Sequence, residues 1–223
     1  MKAQFTEQLA HLEKLIIEMG SMVETQVSST IQALINRNIP LAMAVMQNDH
    51  KVDELEMAID EEVLSILALH QPVAVDLRDV IGISKINGDL ERIGDHAQNI
   101  AESVKVIVEN NQRITVDYIP KMSDIARSML KDAIDSFIHK DVELAMSVCK
   151  RDDDIDDLNK YLFADILASM IKDPKVIPTS MEIIRISKNF ERIADLCTNI
   201  CEDVVFIRDA KSIKHSKEHQ KLL

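Results

Sequence analysis

The sequence predicts an all-α protein in which a unit of three long helices occurs twice. The main observation is a repeat, because residues 91–104 (ERIGDHAQNIAESV) and 191–204 (ERIADLCTNICEDV) share eight identities at a constant offset of 100. Self-similarity at a fixed period indicates a duplicated structural unit. Composition agrees: four Gly, five Pro and no Trp among 223 residues suit long helices, and 46% apolar residues suffice for a core.

The first unit is predicted to contain three helices. Apolar residues at steps of three and four predict them, and they cover residues 4–36, 39–69 and 72–109. Asn38 is a suitable N-cap for the second helix, and Pro40 fits its first turn. The third helix contains three glycines, each of which costs up to about 1 kcal/mol relative to Ala unless close packing explains it; these are Gly82, Gly88 and Gly94.

The second unit repeats this arrangement. Its first helix is predicted over residues 117–139. The second begins at Asp141 as N-cap and ends before the break at Asp173-Pro174 and Pro178, and the third covers residues 179–210. Leu41-Ala42-Met43 returns as Leu144-Ala145-Met146 at an offset of 103. Because the connections are short, neighbouring helices should be antiparallel. The predicted organisation is therefore two antiparallel three-helix bundles, residues 1–110 and 111–210, followed by a basic tail, residues 211–223.

Charge and the apolar pattern bound the function. The net charge of −12 argues against nucleic-acid binding, which requires a basic footprint. The N-terminus has no apolar signal core, and no uncharged apolar stretch approaches the roughly 18 residues of a membrane span. We therefore expect a cytoplasmic protein without direct membrane insertion. Its three cysteines, Cys149, Cys197 and Cys201, are expected to be reduced, buried thiols.

Carboxylates occur in pairs four residues apart on the predicted helices. Residues at this spacing project together and, when like-charged, repel each other; the four pairs are Asp49/Asp53, Glu91/Asp95, Asp152/Asp156 and Glu191/Asp195. One interpretation is a set of oxygen-ligand sites for a divalent or iron-type ion, namely Mg, Mn, Fe or Zn. The alternative is a solvated acidic face. Glu91 and Asp95 lie opposite the core of their helix, so a metal should sit near the surface.

Further polar residues accompany the pairs and are candidates for additional metal ligands or for support of the ligands. Arg92 and Arg192 are positioned to bridge carboxylates, whereas Asn99 and Asn199 could either ligate metal or form hydrogen bonds between helices. His96 could also ligate metal. Because the second copy has Leu196 there, a histidine is not required in both sites.

The repeated Glu-Arg-Ile-x-Asp-x-x-x-Asn-Ile motif, together with Gln71-Pro72-Val73-Ala74-x-Asp76-Leu77-Arg78, resembles the PhoU family of phosphate-specific transport accessory and regulatory proteins. The resemblance covers roughly residues 5–208. It implies two three-helix bundles related by a pseudo-twofold axis, with metal-binding Glu/Asp-x-x-x-Asp motifs that fall on the four pairs. It also implies that the protein forms a homodimer. The second copy departs from the family pattern at four positions: Asn159, Phe163, Leu196 and Cys197.

The resemblance further implies a non-enzymatic negative regulator of phosphate uptake and of phosphate-starvation (Pho regulon) signalling. Such a protein contacts the ATPase subunit of a phosphate ABC transporter and a membrane sensor histidine kinase. Two alternatives remain open. One is a metal-independent helical accessory module of another transporter. The other is a carboxylate-bridged dimetal enzyme, which is disfavoured because the sequence contains no Glu-x-x-His, P-loop, Gly-x-Ser-x-Gly or His-Glu-x-x-His motif.

Overall fold

The computed structural model describes residues 2–110 and 117–213, and these ranges contain helices and no strands. The helices are α1 (Lys2–Ile35), α2 (Ile39–Asn48), α3 (His50–His70), α4 (Ala74–Glu109), α5 (Tyr118–His139), α6 (Val142–Cys149), α7 (Asp152–Lys172) and α8 (Ile177–Asp209), with a 3₁₀ turn at Pro174–Val176. The segments α2 and α3 together form the second helix of the first unit, and α6 and α7 its counterpart. The predicted all-α tandem fold is confirmed.

The second helix of each unit begins with the same local chemistry. The Asn38 Oδ1 accepts a hydrogen bond from the Leu41 N–H at 3.1 Å, and the Asp141 Oδ1 accepts one from the Leu144 N–H at 3.0 Å. The residue before each cap, Arg37 or Lys140, adopts the left-handed conformation that ends the preceding helix. Polar side chains that bind free backbone N–H groups therefore set both helix starts.

Three predicted helix limits differ from the structure. The second helix is interrupted at Asp49 and its counterpart at Lys150–Arg151. At both places i to i+3 backbone hydrogen bonds form, from the Val52 N–H to the Asp49 carbonyl and from the Arg151 N–H to the Val148 carbonyl. Neither interruption contains the Pro or Gly that a sequence pattern would show. Pro178 does not break the chain, because it lies in the first turn of α8, where no N–H donor is required. Residues 214–223, most of the predicted basic tail, lie outside the described residues.

Side-chain contacts confirm the up-down-up order inside the first unit. Gln8 Nε2 donates to Glu62 Oε1 at 3.2 Å, whereas Gln26 near the other end of α1 contacts Asp49. The helix α1 is therefore antiparallel to α3. It runs parallel to α4, since Arg37 Nη2 donates to the Val108 carbonyl at 3.3 Å. Buried aliphatic side chains from these helices fill the core.

The two units join mainly through α4 and α8, which run antiparallel. Lys85 pairs with Asp203 at 3.3 Å near one end of this interface, and Arg185 pairs with Glu102 at 2.7 Å near the other. Lys85 and Arg185 are equivalent positions of the repeat, as a pseudo-twofold axis requires. A Cβ on Gly82 would lie 2.4 Å from Ile207 Cγ1, so close packing explains this glycine. Among residues 2–110 and 117–213, no helix has the length and apolar character needed to cross a membrane.

Candidate metal centres

Six carboxylates lie together where α2, α3 and α4 meet, and we call them the first acidic cluster: Asp49, Asp53, Glu56, Asp60, Glu91 and Asp95. The structure thus brings the two predicted pairs of this unit close to one another. Burial raises the pKa of Glu91, and the charges of Asp95, Glu56 and Asp53 raise it further. Burial and the neighbouring acids also raise the pKa of Glu56. The carboxylates therefore repel each other at a short range.

Asp49 is the buried member of this cluster. Its residue surface is 7% exposed, whereas Asp53 and Asp95 are exposed. Burial raises the pKa of Asp49, the charges of Asp53 and Asp95 raise it further, and a hydrogen bond from Gln26 Nε2 at 3.3 Å opposes the shift. The cluster therefore extends inwards from the surface, further than the helical angles of Glu91 and Asp95 predicted.

Two buried amide oxygens accompany the first acidic cluster. Gln26 Oε1 and Asn87 Oδ1 are buried and accept no hydrogen bond within the described part of the chain. The amide nitrogen of Asn87 is engaged, because it donates to Asp60 Oδ1 at 3.0 Å and to the Glu56 carbonyl at 3.1 Å. A buried acceptor without a partner costs about 1–3 kcal/mol. Amide carbonyls and carboxylates are ligands of hard cations, so this donor set fits a metal ion.

Gly94 lets the polar groups approach α4. A Cβ at this position would lie 3.2 Å from Gln26 Oε1 and 3.3 Å from Asp49 Oδ1. Those separations are tighter than ordinary van der Waals contact. The equivalent residue of the second unit is Ala194, where the neighbouring side chains are different. The glycine therefore belongs to the geometry of the first acidic cluster.

The predicted carboxylates of the second unit also lie together, and we call them the second acidic cluster: Asp152, Asp156, Glu191 and Asp195. The pKa of Asp152 is raised to about 7, first by burial and then by the charges of Asp195, Asp156, Asp153 and Glu191. Burial and Glu191 likewise raise the pKa of Asp156, against the charge of Lys160. Asp152 and Asp156 are therefore repelled by the neighbouring carboxylates, as the acids of the first cluster are.

Glu191 and Asp195 of the second acidic cluster are paired with cationic or hydrogen-bond-donating side chains. Lys188 Nζ forms an ion pair with Glu191 Oε1, and Asn159 Nδ2 donates to Glu191 Oε2 at 2.5 Å. Ser187 in turn donates to Asn159 Oδ1. Arg192 pairs with Asp195 at 3.0 Å. Its counterpart Arg92 pairs instead with Asp89 at 3.7 Å, outside the first acidic cluster.

The remaining candidate residues lie along the interface between α4 and α8. Asn99 Oδ1 accepts a hydrogen bond from Arg185 Nη2 at 2.9 Å. The His96 Nδ1 lies 2.8 Å from Asn189 Oδ1. Asn199 lines a cavity of about 400 Å³ between the units, together with His96 and the two arginines of the motif. The observed contacts of Asn99 and His96 are thus interhelical.

The geometry of both clusters is open. In the described ranges, no group of three or more His, Cys, Asp or Glu side chains is arranged so that it could hold a metal ion. Carboxylates on helices at neighbouring turns can reach a common ion by changing rotamers. The cysteines supply no ligand: all three are buried, as predicted, and burial raises the pKa of Cys197.

Sequence reasoning found the eight paired carboxylates and missed three residues that define their surroundings. Gln26 comes from α1, which carries no acidic pair, and Asn87 lies one turn before Glu91. Lys188 stands where the first unit has Gly88. Lys188 and Asn87 could have been found from the repeat, because the aligned copies differ at both positions: Gly88 against Lys188 and Asn87 against Ser187. Gln26 had no such signal until the helices were packed.

The chain consists of two three-helix units, and each unit has an acidic cluster between its second and third helices. These features define a duplicated helical-bundle protein with candidate cation sites. The family model described as "PhoU domain" matches residues 16–104 and again residues 119–204. The chain belongs to the PhoU family.

Similar proteins support this over nearly the whole chain. The "Phosphate-specific transport system accessory protein PhoU homolog" of Zymomonas mobilis is 36% identical and covers 98% of this chain and 92% of its own. The protein of the same description from Clostridium acetobutylicum is 33% identical, over 94% and 96%. The crystal structure of PhoU from Pseudomonas aeruginosa has a TM-score of 0.91 at 33% identity, over 93% of this chain and 100% of that one.

Proposed function

We propose that this protein is a non-enzymatic accessory protein of a phosphate-specific transport system. In this role it negatively regulates phosphate uptake and phosphate-starvation signalling. The observation that carries the proposal is the family membership of both units, together with relatives that bear this description and match nearly from end to end. A chain without cofactor-binding or nucleophile motifs is consistent with a function exerted through binding.

The partners that we propose are the ATPase subunit of the transporter and a sensor histidine kinase, both contacted from the cytoplasm by a homodimer. Exposed apolar side chains support a role in protein binding. Phe163, Leu167 and Ile171 follow one another at steps of four on α7 and are 52%, 47% and 78% exposed. They form an apolar stripe on the outside of the second unit, which is a surface that a partner helix can cover.

We also propose that the first acidic cluster binds a divalent or iron-type cation, that is Mg, Mn, Fe or Zn. The donor set of carboxylates with two unpartnered amide oxygens supports this, and Asp49, Asp53, Glu91 and Asp95 would supply the charge. When bound, the cation supplies positive charge that offsets the carboxylate repulsion. It would connect the junction of α2 and α3 with α4, because the ligands come from both sides of that contact.

A deletion strain tests the regulatory role. Loss of the protein should give constitutive alkaline phosphatase in high phosphate, and the wild-type gene should restore repression. A pull-down of the tagged protein with the transporter ATPase tests the contact directly. Inducible phosphatase in the deletion strain, or no binding to either the ATPase or the kinase at micromolar concentrations, would contradict the proposal.

The contribution of the cation is tested in the same strain. Asp53→Asn with Asp95→Asn should weaken repression. Glu54→Gln with Glu61→Gln removes the same charge from exposed positions of α3 outside the cluster and should leave repression intact. Equal behaviour of the two double variants would separate the regulatory function from the cation.

A further inference from the structure

We propose that the two units have diverged in how they neutralise their carboxylates, and that the Lys188 ammonium of the second unit replaces a metal ion. A divalent cation would then bind at the first acidic cluster alone, and not at Asp152, Asp156, Glu191 and Asp195 as the sequence pattern predicted. This inference deepens the proposed function and rests on its cation site.

The contacts of Glu191 carry the proposal. One carboxylate oxygen pairs with Lys188 Nζ, and the other accepts a hydrogen bond from Asn159 Nδ2 at 2.5 Å. The Glu191 side chain is 16% exposed. Ser187 orients Asn159 by donating to its side-chain oxygen. Both oxygens of Glu191 are therefore engaged by donors of the second unit itself, and a metal ion would have to displace them.

The same positions of the first unit offer no such donors to Glu91. The counterpart of Lys188 is Gly88, which has no side chain. The counterpart of Asn159 is Glu56, which is a further acid rather than a hydrogen-bond donor. Within residues 2–110 and 117–213, no ion pair forms to Asp49, Asp53, Glu91 or Asp95. Arg92 offsets the charge of Glu91 only in part, so an external cation would relieve the remaining repulsion in the first acidic cluster.

The two units also differ in the oxygen atoms that are available as metal ligands. The unpartnered amide oxygens of the first unit belong to Gln26 and Asn87. At the offsets of the repeat, their counterparts are Met129, a buried side chain, and Ser187, whose hydroxyl is engaged with Asn159. Asp60 is likewise replaced by Phe163. The second unit therefore lacks free oxygen ligands at these three positions, and it carries Lys188 where the first unit has Gly88.

The charges of the two clusters favour the first unit as the cation site. The first acidic cluster has six carboxylates. The second has four, with Asp153 close enough to raise the pKa of Asp152, and within it Glu191 is paired with Lys188 and Asp195 with Arg192. A divalent cation entering the second cluster meets the positive charges of Lys188 and Arg192, which pair with its carboxylates and disfavour its binding. In the first cluster the charge of Arg92 acts on Glu91 without forming an ion pair with it, because Arg92 pairs with Asp89.

Exchange of the two equivalent residues tests the inference. Gly88→Lys should place an ammonium beside Glu91, and a Cβ at Gly88 meets no atom within 4 Å. Its control is Gly88→Met, which adds a side chain of similar length without charge. Lys188→Met removes the ammonium and keeps the aliphatic stem. Its control is Lys172→Met, which removes an exposed lysine in the last turn of α7, far along the helix from the second acidic cluster.

Binding of Mn²⁺ to the full chain, measured by calorimetry and by the EPR signal of the free ion, gives the first readout. Wild-type binding should be lost in Asp53→Asn/Asp95→Asn and unchanged in Asp156→Asn. Gly88→Lys should weaken it about tenfold or more relative to Gly88→Met. Lys188→Met should add Mn²⁺ binding that the Lys172→Met control lacks. Loss of bound Mn²⁺ in Asp156→Asn, or no gain in Lys188→Met, would overturn the inference.

Urea unfolding with a chelator gives a readout that requires no metal. Here Lys188→Met should lower the unfolding midpoint more than Lys172→Met does, and Gly88→Lys should raise it above Gly88→Met. Midpoints that do not distinguish each variant from its control would overturn the role of Lys188 as an internal cation. If the wild type binds no Mn²⁺ but these midpoints shift as expected, the proposed cation site fails and the role of Lys188 stands.

Discussion

At the scale of single residues, Asp152 couples folding to pH. Its carboxyl has a pKa of about 7 in the folded protein, against 3.8 ordinarily, because burial and four neighbouring carboxylates disfavour its charged form. The folded state therefore retains a proton that the unfolded state has lost between these values. Since the unfolded state binds fewer protons there, stability falls as pH rises from about 4 to 7 and levels off above.

The substitution Asp152→Asn should remove this component of the pH dependence. In a chelator, urea unfolding at pH 5 and pH 8 should give a smaller loss of stability for Asp152→Asn than for the wild type. The control is Asp154→Asn, an exposed residue in the same helical turn, which should keep the wild-type difference. A wild-type stability that rises between the two pH values would contradict the expectation.

A second prediction at this scale concerns the Gln26 amide. Replacement by Met removes both the hydrogen bond to Asp49 and the unpartnered oxygen beside it. Loss of a residue that orients or supplements metal ligands costs about 10–100-fold in affinity, so Gln26→Met should weaken Mn²⁺ binding by about that factor. Gln32→Met, an exposed change on the same helix, should have no effect. Calorimetric titration of both variants decides it.

Residue patterns predicted the acidic members of the clusters because a spacing of four places side chains together on any helix. They could not predict that Asp49 is buried while Asp53 is exposed, since burial depends on what covers the helix. The contact of Gln26 with Asp49 also depends on the rotation of α1 against the second helix. Lys188 was visible as a difference between the copies, but its ion pair required the side-chain geometry.

At the scale of helices, the starts were predictable and two interruptions were not. Asn38 and Asp141 carry a local signal, because a cap binds backbone within three residues of itself. The interruptions at Asp49 and at Lys150–Arg151 have no Pro or Gly. In both units they lie beside the first acid of the cluster. The residues at these two positions carry no local break signal, so helical periodicity could not show the interruptions.

The glycines of α4 give a prediction at this scale. Gly82→Ala places a Cβ 2.4 Å from Ile207 Cγ1. Overpacking typically costs about 1–3 kcal/mol, and Ala returns up to about 1 kcal/mol of helix propensity. We expect a net loss of about 1 kcal/mol. Gly88→Ala meets open space and should gain up to about 1 kcal/mol. Urea unfolding of both variants in chelator measures the two free energies, and equal signs would contradict the packing argument.

At the scale of the whole molecule, the sequence predicted the repeat and the core face of each helix, but not which helices join the units. A helical period gives the buried side of α4 and leaves open whether α3, α1 or α8 covers it. The observed interface has antiparallel α4 and α8 with an ion pair near each end. The repeat places Lys85 and Arg185 at equivalent positions, yet their surroundings differ. Asp203 is buried, while Glu102 is partly exposed.

This difference predicts unequal contributions to the joining of the units. Lys85 Nζ lies 3.3 Å from Asp203 Oδ1 and 5.0 Å from the centre of the Phe206 ring, and the Asp203 side chain is 2% exposed. Loss of one partner from a buried pair costs about 3–5 kcal/mol, but Lys85 is half exposed, so Lys85→Met should cost about 1–2 kcal/mol. Arg185→Met interrupts a pair that is more accessible on both sides and should cost less than about 1 kcal/mol. Chemical unfolding at low and high salt compares them, and a larger loss for Arg185→Met would show that burial of Asp203 does not govern the strength of this interface.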